Sequence, residues 1–242
     1  MFGLIDWWRR RSARGRAFDP AWRAILEAHV PFYPALTGPV RERFETALKV
    51  FLLTKHWIAA GGMVIDDEVK VVISAAAARL VMNRPRDHYQ RLTEIVVYPS
   101  HYVHPGGDGI IFGEAQSWGT VVLSYDATTH GMKNPGDGHD TALHEFAHVL
   151  DAADGKFDGT PVLDHLTSYA PWTRVMSAEF LRLRKKVARR GVLRRYGATN
   201  EAEFFAVASE AFFEKPRQLR DRHPDLYAVL RDYYASDPAS DV

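Results

Sequence analysis

Residues 140–155 read DTALHEFAHVLDAADG. Asp140 can cap a helix, Gly155 can end it, and no breaker lies between them. The stretch predicts one helix over Asp140–Ala153. On a helix, residues four apart share a face, so His144 and His148 can present two imidazoles to one ion. Glu145 is one step round. It cannot be a third ligand with ideal geometry, but it can reach a water on that ion. His-Glu-x-x-His on a helix therefore points to two metal ligands and a general base. A metzincin-type extension is excluded, because the positions that would need Gly and His hold Asp151 and Asp154.

Two imidazoles and a water leave zinc one protein ligand short. The segment 198–216, ATNEAEFFAVASEAFFEKP, is nearly all apolar, yet Glu203 and Glu210 interrupt it seven residues apart on one face. A carboxylate is costly to bury unless it is paired or binds metal. Two readings of each are open here. Glu203 is a ligand or the acidic partner of a capping box with Asn200. Glu210 is a ligand or the partner of an arginine. Asp151, one turn beyond His148, either orients a ligand imidazole or bonds locally at the helix end. Asp154 and Asp158 are further carboxylates near the pair.

Outward from this centre the texture changes. Helices are predicted at Pro20–His29, Pro39–Trp57, Asp66–Met82, Trp172–Arg190, Glu201–Glu214 and Pro224–Tyr234. EIVVYPS (94–100) and VVLSYDA (121–127) read as strands, and GIIFGEAQSWG (109–119) as strand and turn. TVVLSYD, just before the metal helix, is expected to offer an edge to an extended peptide. The fold class is α+β. It is read as a single domain over 1–242, with an N-terminal helical part (1–90) and a sheet plus metal-binding helices (91–242).

The 242 residues are 46% hydrophobic and 25% charged, with a net charge of +1 and no cysteine. That balance argues against direct nucleic-acid binding, and the missing cysteines exclude disulfide frameworks and thiol nucleophiles. No stretch reaches the ~20 apolar residues of a spanning helix. The N-terminal MFGLIDWWRRRSARG carries its charges after a short apolar run, the reverse of a secretory signal. It reads as a segment tucked onto the domain or disordered, or as a surface for a membrane or partner. A cytoplasmic location is expected.

HEFAHVLDAADG, GEAQSWGTVVLSYD and YGATNEAEFFAVASEAFFEKPRQL together resemble the Mlc titration factor A family of gluzincin-like, zinc-dependent peptidases. The resemblance runs from AWRAILEAHVPFYPAL to HPDLYAVLRDYYASDP. It implies a zincin-like fold, Zn2+ held by His144, His148 and Glu203, Glu145 as base, and Tyr196 steadying the oxyanion. It also implies aminopeptidase-like cleavage of a peptide substrate and a Mlc-like transcriptional repressor as partner. The alternative it leaves is a weakly catalytic or non-catalytic anti-repressor that binds such a protein around a structural zinc. The loop SHYVHPGGDG is short, and neither His101 nor His104 in it can be aligned with a family position.

Overall fold

The computed structural model describes residues 2–84, 88–103, 110, 111, 113–116, 119–185 and 191–240. In chain order its elements are α1 (Phe2–Gly15), α2 (Pro20–His29), α3 (Gly38–Thr54), β1 (His56–Ala59), α4 (Asp67–Val81) and β2 (Glu94–Tyr98). Then follow β3 (Tyr102–Val103), β4 (Ile110–Ile111), β5 (Gly113–Gln116), β6 (Thr120–Ser124), α5 (Tyr125–Lys133) and α6 (Thr141–Asp151). The C-terminal part is helical: α7 (Tyr169–Lys185), α8 (Glu201–Glu214), α9 (Pro216–Arg222) and α10 (Pro224–Tyr234). The protein is mostly helical with a small sheet, as an α+β zincin-like domain requires.

The sheet order is β1-β2-β6-β5, with β1, β2 and β6 parallel and β5 antiparallel to β6. β3 and β4 form a separate antiparallel pair. β6 is thus an interior strand, and the expected edge at TVVLSYD is instead β5. The reason is topological: β6 has β2 on one side and the returning GEAQ segment on the other.

Local chemistry explains most boundaries. Asp19 and Asp66 accept hydrogen bonds from Ala21 and Val69 and cap α2 and α4. The alanine run Ala75–Ala78 in α4 is wholly buried. Small side chains there let α4 pack closely against both α3 and α6. One continuous core runs from Trp22 to Ala239, joining the N-terminal helices to the sheet and to α6, α8 and α10.

Some element boundaries differ from expectation, and others gain detail. The helix expected to reach Trp57 stops at Thr54, and His56 N–H then bonds Thr93 O at 2.9 Å as β1 enters the sheet. Lys55 anchors that switch by donating to the carbonyls of Tyr89 and Leu92 at 2.7 and 2.6 Å. A helical period cannot show this, because Trp57 continues the apolar stripe. VVLSYDA is not all strand: Ser124 caps a helix that starts at Tyr125. Pro216 ends α8 but also opens α9, in the first-turn position where its missing N–H costs nothing. The N-terminal segment is a helix leaning on α3, its end bound by Lys49 Nζ through Arg14 O at 3.0 Å and Arg16 O. The expected helix Trp172–Arg190 begins earlier, at Tyr169, and its residues 186–190 lie outside the described ones.

Candidate metal centre

Asp140 caps α6 by accepting from Leu143 N–H at 3.0 Å, and Gly155 closes the turn after it in a left-handed conformation. All of α6 except Val149 is buried, so its two imidazoles are held inside the protein. His144 Nε2 and His148 Nε2 are 3.2 Å apart. Glu203 Oε2, from the first turn of α8, is 2.9 Å from the former and 3.5 Å from the latter. These three ligand atoms lie within 4.8 Å of one another, the one such His/Cys/Asp/Glu group among the described residues.

The capping alternative for Glu203 resolves into a division of labour. Its backbone N–H is capped by Asn200 Oδ1 at 2.8 Å, while its carboxylate is aimed at the histidines. Glu210 is fully buried two turns along α8, about 10 Å further on. Its Oε1 is 2.7 Å from His144 Nδ1, and its Oε2 accepts from Asp140 N–H at 2.8 Å. Arg194 also pairs with it. The arginine reading of Glu210 therefore holds, and a second role accompanies it. The His144 ring spans the gap between the two carboxylates. With Nδ1 on Glu210, Nε2 is the nitrogen left to face an ion.

The electrostatics favour a cation here. Burial alone would lower the His144 pKa, but hydrogen bonds to Glu203 and Glu210 reverse this and push it up to about 10. Burial would raise Glu203, and the two histidines instead hold it well below the usual carboxylate range. Two imidazole nitrogens and a carboxylate oxygen, converging in a site that stabilises positive charge, fit a divalent metal of the zinc type.

Glu145 is buried beside this group, against β5. A Cβ on Gly113 would come within 2.7 Å of Glu145 Cγ and 2.9 Å of its Oε1. Only glycine lets the edge strand lie this close to the carboxylate. Sequence reasoning missed Gly113, although a glycine inside a strand pattern is the ordinary sign of close backbone approach.

Tyr196 lies in the 3-10 turn Arg195–Ala198, half exposed, with its ring 5.8 Å from that of His144. Burial and the charges of Glu203 and Glu145 raise its pKa, which keeps the phenol protonated. Phe157, 43% exposed, stands 5.5 Å from His148 on the other flank. Sequence reasoning did not find it.

Asp151 bonds locally: its Oδ2 accepts from Gly159 N–H at 2.9 Å. Asp151 Oδ1 and His148 Nδ1 are both buried without a hydrogen-bond partner among the described residues. Burial lifts the Asp151 pKa to about 6. Gly159 has φ +76°, and a Cβ there would meet Glu201 O at 2.4 Å. Asp151 thus ties the loop after α6 onto the start of α8, the turn that carries Glu203. Asp154 and Asp158 are exposed and outside the ligand group, as is His101. His104 lies outside the described residues.

Residues 4–235 match the profile of the glucose-regulated metallo-peptidase M90 family, and the chain belongs to that family. It is 35% identical to an uncharacterized protein of Synechocystis sp., over 98% of this chain and 92% of the relative. It is 24% identical to Mlc titration factor A of Yersinia pestis, over 97% of this chain and 91% of that protein. The same figures hold for Mlc titration factor A of Yersinia pseudotuberculosis. Among the described residues no helix is long and apolar enough to cross a membrane.

Proposed function

We propose that this M90 metallo-peptidase hydrolyses peptide bonds, with Zn2+ held by His144, His148 and Glu203. The observation that carries the reading is the convergence of three ligand atoms within 4.8 Å beside a buried Glu145. When bound, the metal supplies a Lewis acid beside the scissile carbonyl and lowers the pKa of water toward 7. Glu145, packed closely against Gly113, takes the proton of the attacking water and returns it to the leaving amine. The Tyr196 hydroxyl, kept protonated, donates to the developing oxyanion. Glu210 keeps His144 oriented. β5 is an edge of the sheet, the one that runs past Glu145, so an extended peptide adding to it would bring its carbonyl to the base. Tyr196 and Phe157 stand beside the ligand histidines, their rings 5.8 Å from His144 and 5.5 Å from His148, where they can contact a bound peptide.

A second reading is favoured by the names of the Yersinia relatives. A protein called Mlc titration factor A titrates a regulator, and this chain would then bind a Mlc-like repressor, with or without cleavage. Glu145→Gln separates the two. It keeps the shape and the metal and removes the base, so peptide hydrolysis should fall by about 10²–10⁴-fold, with metal content unchanged by elemental analysis. Unchanged turnover would sink the peptidase assignment. Repressor binding that survives in the inactive variant would show that binding needs no catalysis. Comparing free and N-acetylated peptides tests the aminopeptidase assignment, which only the free ones should satisfy.

A further inference from the structure

A cavity of about 400 Å3 lies away from the metal group, between α1, α3 and the end of α4. Five cations line it, Arg10, Arg14, Arg43, Lys55 and Arg84, against one acid, Glu42. Two of the cations are already committed: Lys55 to the carbonyls of Tyr89 and Leu92, and Arg84 to those of Val162 and Tyr233 and to the Asp164 carboxylate at 3.4 Å. Arg43 spends Nε on the neutral amide oxygen of Asn83 at 2.8 Å. Among the described residues neither Arg14 nor Arg43 forms an ion pair with a carboxylate. The charges of Arg14 and Arg43 are therefore left for an outside anion.

The rest of the lining is apolar. Val50, Phe51, Val81 and Tyr89 contribute to it. A ligand that satisfies both parts has an anionic head and an apolar body. The volume is that of a site for a small molecule, and a flat bilayer surface cannot enter it. We propose that this cavity binds a small amphipathic organic anion, its carboxylate, sulfonate or phosphate head on Arg14 and Arg43 and its apolar body on Phe51 and Tyr89. Those two rings also pack against Phe146 of α6, with centroids 5.3 and 5.9 Å away. An occupant would rest on the back of the helix that carries the metal group.

The test is fluorescence titration of the metal-loaded protein with 1-anilinonaphthalene-8-sulfonate and with neutral N-phenyl-1-naphthylamine, which shares the rings but lacks the sulfonate. The sulfonate should saturate one site, and the neutral probe should bind at least about tenfold more weakly, the ratio that a lost charged hydrogen bond gives. Arg14→Gln and Arg43→Gln should each weaken the sulfonate about tenfold, with thermal melting confirming the fold. Ala47→Phe fills the cavity from the α3 wall and should remove the saturable site. Equal affinity for the two probes, or sulfonate binding retained in the double Arg variant, overturns the proposal. So does binding to phosphatidylglycerol vesicles without saturable uptake of the soluble sulfonate, which would make α1 a lipid-facing helix instead.

Discussion

Two charged clusters of this protein, each built on a buried acid, differ in one respect. Between α2 and α3, Glu45 accepts two hydrogen bonds from Arg23, both at 2.9 Å, and one from Tyr33 at 2.6 Å. Each donor there meets the one carboxylate, and the charges balance. Between α6 and α8, the Glu203 carboxylate and the two imidazole Nε2 atoms turn toward a common point, Glu210 holds His144 Nδ1 from the far side, and His148 Nδ1 has no partner among the described residues. The first cluster is complete in itself. The second calls for a cation. A buried charge group is therefore informative through what it leaves unsatisfied and where its donors converge, more than through being buried.

The largest effect that should separate the clusters is metal content. The double variant His144→Ala/His148→Ala should bind no metal at neutral pH, whereas Glu45→Ala should bind it fully. Elemental analysis showing full occupancy in the histidine variant would place the centre elsewhere. Next comes Glu210→Ala, which strands His144 Nδ1, Asp140 N–H and Arg194 together. Breaking a buried charged pair costs about 3–5 kcal/mol, visible in denaturant unfolding, and metal affinity should drop about 10–100-fold with the loss of an orienting carboxylate. If affinity holds while stability falls, Glu210 is structural only.

Tyr196→Phe acts on chemistry without acting on either cluster. It should keep metal and melting temperature and lose about 2.7–4 kcal/mol of transition-state stabilisation, read as a fall in kcat. A parent-like kcat removes the oxyanion role. The smallest effect belongs to the closed cluster. Glu45→Ala leaves the Tyr33 hydroxyl buried and unpaired, a loss of about 1–3 kcal/mol. Its pH dependence has a defined sign. The Arg23 hydrogen bond, with help from Tyr33 and against burial, holds Glu45 below its usual pKa. A depressed folded pKa adds stability above the unfolded value, about 4.3, and loses it as pH falls through the folded one. The melting-temperature gap between the parent and Glu45→Gln should be open at pH 7 and close in acid. A gap that widens in acid would reverse the assignment.

Much of both regions was legible in the chain. Asp140 as cap, His144 and His148 on one face, and Glu203 and Glu210 on one face of α8 all follow from spacings of seven residues or fewer. α2, α8 and α10 begin and end where their caps and prolines put them. Trp57 and Tyr125 were misplaced because an apolar stripe and a short polar helix look alike in either state until the sheet claims or releases them. Gly113 was overlooked, though its isolation in a strand pattern was a usable signal.

What the sequence determined by itself is the phase of each helix, because that phase is written in neighbours within two turns. It determined which residues could meet. Which of them do meet was decided by packing. His144 touches Glu203 and Glu210 across 59 and 66 residues, and only the way α8 lies on α6 sends one carboxylate to Nε2 and the other to Nδ1. The same holds for β5: pairing order alone made GEAQ an edge of the sheet and brought Gly113 onto Glu145. Local periodicity carries no record of such distances, since the free energy that fixes them comes from burying one element's face against another's.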